Sequence, residues 1–122
     1  MSTTPPSNLP AAPTIPLTAD VRAAYLALYN TIQTEIEGTT DVIALEALNP
    51  LRDQIDDVLN KDGLYRISQN TDSFNELLTQ INSTNSGLKT LQTQIKTTAS
   101  HFQTAASILS AIDKVFGLIG IA

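Results

Sequence analysis

His101, the aspartates Asp53, Asp56 and Asp57, and the stretch NKDGLYR at 60–66 are the places where this chain could do chemistry. A histidine acts as a general base or a metal ligand only beside partners. His101 has no carboxylate within ten residues and sits next to Phe102, so it reads as the edge of an apolar stripe. Two carboxylates can share a cation, but at 100° per residue Asp53 and Asp57 lie about 160° from Ile55 on a helix. Glu46 falls on that same outer face, and Arg52 can pair with Asp56 one turn on. The group is expected to be a solvated acidic face. NKDGLYR echoes a calcium loop, which needs an acid at its first position and a Glu at its last. Val58 and Gln69 occupy those positions, so the motif fails. No phosphate-cradling loop, nucleophile elbow or zinc helix is present. With no cysteine, thiolate chemistry and disulfides are excluded. No catalytic, cofactor-binding or metal-binding residue is expected, and the chain reads as non-enzymatic.

What remains is recognition, and that depends on the helices. Length suits one small domain: 122 residues. The formal charge is −5 and the pI near 4.5, which argues against nucleic acid as a partner. The acids are concentrated. Residues 35–76 hold ten against Arg52, Lys61 and Arg66, whereas 77–122 hold Lys89, Lys96 and Lys114 against Asp113 alone. An acidic second helix and a weakly basic, Thr/Gln/Ser-rich third helix therefore complement each other, within a chain or between chains.

Residues 1–17 contain Pro5, Pro6, Pro10, Pro13 and Pro16 and form an extended or polyproline-like arm. No secretory signal and no run of 18 apolar residues is visible, so the expected location is cytoplasmic, particle-incorporated or reached by a non-Sec route. The remainder, 18–122, reads as one α-helical domain. Helix 1 is expected at 18–37, capped by Thr18 and closed by Gly38, with Val21, Tyr25, Leu28, Ile32 and Ile36 as its stripe. Helix 2 is expected at 41–62, with Pro50 in its first turn or at a kink and Gly63 as the C′ glycine. Residues 64–72 read as a connector, followed by a capping box from Ser73 to Glu76.

Behind that box, Phe74, Ile81, Leu88, Ile95, Phe102, Leu109 and Phe116 recur every seventh residue. Leu77, Leu91, Ala105 and Ile112 supply apolar companions three residues on. This is a coiled-coil-like heptad. It predicts an all-α, three-helix arrangement with one long helix over 73–117, or a four-helix bundle if Asn85-Ser86-Gly87 breaks it. Unbroken, that helix would run roughly 65 Å, too long for its own chain to cover, and would call for a second copy or another subunit.

The chain ends on HFQTAASILSAIDKVFGLIGIA, where twelve of the eighteen residues from Ala105 to Ala122 are apolar. Ile95, Phe102, Leu109, Ile112, Phe116, Leu118, Ile119 and Ile121 are the residues expected to contact a partner or another copy. The leading expectation is a helical structural or assembly protein that self-associates and docks on other subunits, as in a large particle. A membrane-active helical protein, such as one subunit of a pore, is the first alternative. A small acidic inhibitor or immunity-type binder is the second.

Overall fold

A computed structural model describes residues 14–119. It is an all-α four-helix bundle: α1 (Ala19–Gly38), α2 (Val42–Ser68), α3 (Thr71–Thr97) and α4 (Ala105–Ile119), with a single 3₁₀ turn (Ala99–His101) before α4. The helices run up, down, up and down. Leu17 meets Asp62, Arg52 meets Gln33, Tyr65 meets Phe74, and Gln92 meets Asp113, so each helix is antiparallel to the next. α2 packs on α1 and α3, and α1 packs extensively on α4.

The heptad turns inward. Leu77, Ile81, Leu88, Leu91 and Ile95 of α3 are buried against Ala44, Leu48, Leu51, Ile55 and Val58 of α2 and the apolar face of α1. The expected rod over 73–117 does not form. The helix continues through Asn85-Ser86-Gly87 and stops instead at Thr97; the chain then reverses through Thr98–Thr104. Phe102 stays in phase because the reversal points it back into the core, where it is 5% exposed. Preserved phase thus reflects a shared core, not one continuous helix.

Gly87 looked like a weak point and is a contact instead. A Cβ built there would come within 2.7 Å of Leu51 Cδ2, so its bare backbone lets α2 and α3 approach. Thr84 one turn earlier is fully buried and donates to Gln54 O.

Some helix ends match the sequence and others do not. Thr18 caps α1 by accepting from Val21 N at 3.2 Å. Asp41 caps α2, accepting from Ile43 N and Ala44 N. Pro50 lies inside α2, where it leaves one ladder bond unmade. Gly63 does not end α2, which runs five residues further. The left-handed residue is Gln69, with φ 51°, and its amide donates to Tyr65 O. Nor is Ser73 the cap of α3. Asn70 takes that role, accepting from Ser73 N at 2.8 Å, and most of the presumed connector is helix. Of the Pro-rich arm, residues 1–13 lie outside the described part, while Leu17 is buried.

These two glycines should respond oppositely to substitution. Nothing lies within 4 Å of a Cβ at Gly63, so Gly63→Ala should stabilise by about 0.5–1 kcal/mol through helix propensity. Gly87→Val drives a branched side chain into Leu51 and should destabilise by about 1–3 kcal/mol. Urea unfolding followed by circular dichroism measures both, and destabilisation by Gly63→Ala would restore it to a left-handed cap.

Candidate functional site

Most of the residues expected to form an interface face the chain's own core. Ile95 and Ile112 are fully buried, and Phe102, Phe116 and Ile119 nearly so. Leu109 is partly buried against the same cluster. Leu118 alone is open, at 42% exposure, and Ile121 lies outside the described residues. The terminal segment as far as Ile119 is therefore a core helix, with Ile108, Ile112, Val115, Phe116 and Ile119 turned inward. Among the described residues the stripe from Leu77 to Phe116 is covered within the chain.

The polar groups that could do chemistry are used to fasten helices. At the upper end Glu35, 1% exposed, accepts from Gln103 N at 2.9 Å and Thr104 N at 2.7 Å, and from Thr104 Oγ1 at 2.6 Å. Residue 35 of α1 thus supplies a carboxylate that holds the two residues leading into α4, where the helix dipole favours a negative charge. Burial pushes its pKa up, but the bonds from Thr104 and Gln103 outweigh this, and the carboxyl ends below the usual glutamate value. Beside it, His101 Nδ1 lies 2.8 Å from Asp41 Oδ2, whose other oxygen caps α2. The bond from His101, with those from Ala44 and Ile43, holds Asp41 below the ordinary aspartate value. Asp41 is then ionised at neutral pH, so His101 Nδ1 carries the hydrogen. The sequence places no carboxylate within ten residues of His101, and the one it meets lies sixty residues away.

At the lower end Asp62 is fully buried. It accepts from Leu17 N at 2.8 Å, Arg22 Nη1 at 2.7 Å and Arg66 Nε at 2.9 Å, and Arg66 also donates to Leu17 O. This is the aspartate of the false calcium loop, and its ligands are two arginines. Between the ends, Tyr25 OH donates to Asn85 Oδ1 at 2.7 Å across the bundle diagonal. Burial pushes the phenol up to about 12 despite that bond.

Among the described residues no group of three or more His, Asp or Glu side chains is placed to hold a metal ion. Asp53, Asp56 and Asp57 are exposed, the first and last of them on the outer face that the angular reading gave. Arg52 pairs with Asp53 at 3.2 Å and reaches Gln33, so the expected Arg52–Asp56 pairing is replaced by a closer neighbour.

What lies open is apolar. Leu64 and Ile67 near the end of α2 are 59% and 85% exposed, and Phe74 in the first turn of α3 is 36% exposed. Phe74 meets the half-buried Tyr65 edge to face at 5.8 Å between centroids. No protein-family model, curated protein or solved structure matches the chain. Sequence reading passed over Leu64 and Ile67 because 64–72 looked like a loop. Once α2 is extended to Ser68, their spacing of three puts both on its solvent side.

The capping carboxylates make stability depend on pH. Glu35 and Asp41 have folded pKa values below 4.5 and 3.8 respectively, so the unfolded chain binds more protons in that range. The stability these carboxylates contribute should therefore be complete above the ordinary carboxylate range and be lost as pH falls through and below it. Glu35→Gln should flatten that slope and cost about 1.5–3 kcal/mol at neutral pH. Urea titrations across the range measure both effects, and an unchanged slope in the variant would remove Glu35 from this role.

Proposed function

We propose that this protein is a non-enzymatic helical assembly component that works by docking on other protein surfaces. The carrying observation is the exposure of Leu64, Ile67 and Phe74 around the α2–α3 end of a bundle whose core needs no outside cover. Scattered exposed apolar residues are normal on soluble proteins, whereas a concentration of large ones marks a contact surface. The use of Glu35, Asp41, His101 and Asp62 in holding helices together supports a role without catalysis. The low density of charge, 16% of residues, lowers the electrostatic cost of close approach by a neighbour.

The membrane-active reading has less support. No described helix is long and apolar enough to cross a membrane, and the apolar face of α4 is already covered by α1.

A benzophenone amino acid placed at position 67 of the full chain tests docking directly. Illumination of cells expressing it should give protein adducts, identified by mass spectrometry, while the same group at exposed Glu37 should give none. Adducts only with lipid, or none at position 67, would overturn the docking reading.

A further inference from the structure

Leu64 and Ile67 are the end of a longer pattern. Going back along α2 in steps of three and four residues, Asn60, Asp57, Asp53, Pro50 and Glu46 follow, all exposed. This is a second seam, opposite the one that α2 buries, acidic at its upper end and apolar at its lower end. α3 carries a matching outer seam: Thr79, Ser83, Ser86, Thr90, Thr93 and Thr97, each exposed. Lys89 and Lys96 flank it, and no acid lies between Leu77 and Thr97. Three of its hydroxyls are already bonded to their own helix: Thr90 to Ser86 O, Thr93 to Lys89 O and Thr97 to Thr93 O. Such side chains can be covered without stranding a donor.

The two seams fit in one register. Seven residues separate Glu46 from Asp53, and seven separate Lys89 from Lys96, about 10 Å along either helix. An antiparallel crossing that sets Asp53 beside Lys89 also sets Glu46 beside Lys96. The same crossing brings Leu64 and Ile67 level with Thr79 and Asn75. Those two line a groove of about 320 Å³ between α2 and α3, together with Lys61, Glu76 and Gln80. A parallel crossing would carry Leu64 and Ile67 beyond Thr97, off the end of α3. Asp53 already meets Arg52 at 3.2 Å, but its side chain is 71% exposed. Such a surface pair is weak and leaves the second oxygen available.

Within one molecule these faces cannot meet, because α2 and α3 already pack through their inner seams. We propose, building on the docking reading above, that the partner is a second copy of this chain. The outer face of α2 of one copy lies antiparallel on the outer face of α3 of the next, with Leu64 and Ile67 in the groove at Asn75 and Thr79. The two faces differ, so the contact is heterologous. Each copy engages two neighbours, and growth continues as a chain or closes as a ring.

Sedimentation velocity of the full-length protein tests this with charge exchange. The wild type should show a mass that rises with concentration and falls with added salt. E46K/D53K and K89E/K96E should each weaken association at least about tenfold. An equimolar mixture of the two should recover it, because each reversed face then meets its complement. Lys89 also lies 5.9 Å from the centroid of the Phe116 ring, so K96E alone is a further variant that leaves that contact intact. It should weaken association in the same direction. L64S/I67S should reduce association with an unchanged helical spectrum. A chain monomeric at every concentration, a discrete dimer indifferent to both reversals, or a mixture no better than its components would overturn the proposal. Adducts at position 67 with a different protein, alongside a monomeric chain, would keep the docking reading and reject this partner.

Discussion

A heptad seam of this length must be covered, and one chain of 122 residues can cover it only by turning back on itself. The reversal at Thr98–Thr104 is the constraint on which the bundle depends, and the Glu35 carboxylate holds it. Starting a new helix leaves amide groups without intrahelical partners, and here they start close to the core, where an unmade bond costs most. Glu35 reaches from α1 and takes the amides of Gln103 and Thr104, just ahead of α4, and the Thr104 hydroxyl. Its own burial would be costly for a bare charge, but three donors and the positive end of α4 offset that. The cap also explains why α4 lies along α1, the helix that supplies it.

Apolar burial by itself would leave the bundle poorly specified. Leu, Ile and Val on four helices repeat nearly every seven residues, and a slide of one heptad would bury much the same surface. The polar fastenings break that degeneracy. Asp62 fits one position only, where Arg22, Arg66 and the Leu17 amide converge on it. Tyr25 and Asn85 must be level across the diagonal, or a buried phenol and a buried amide both lose their partner. Glu35 and the Asp41–His101 pair set the opposite end. Removing either end's carboxylate should therefore harm uniqueness of packing as well as stability. This is the use of core polar groups that coiled coils illustrate with a single buried Asn.

Local signals in the sequence were read correctly where a local cause produced them. Thr18 and the stripe of α1 depend on residues three or four apart, and their roles follow from that spacing. The errors came where tertiary contact decided. Gly63 and Gly87 carry the same residue type, yet one lies in an ordinary helical turn and the other admits Leu51. Nothing local distinguishes them. The actual break, TASHFQT at 98–104, contains neither Gly nor Pro and forms because Glu35 and Asp41 receive its polar groups from sixty or more residues away. Likewise the role of Asp62 was not legible, because its two arginines and the Leu17 amide come together only after α1 and α2 have paired.

Covering the seam internally moves the question of partners to the outside of the bundle. An assembly protein with an open heptad would associate through its core, and folding and association would be one event. Here the described core is covered within one chain, so an association would use the outer faces of the bundle. Such faces can be weaker, more polar and sensitive to salt, because the fold does not depend on them. The outer seams of α2 and α3 have that character: three carboxylates and two leucine-sized side chains on one, hydroxyls and two lysines on the other. Their chemical asymmetry matters more than their strength. Identical faces would pair and stop, whereas unlike faces on adjacent helices leave a bound pair with one of each still open.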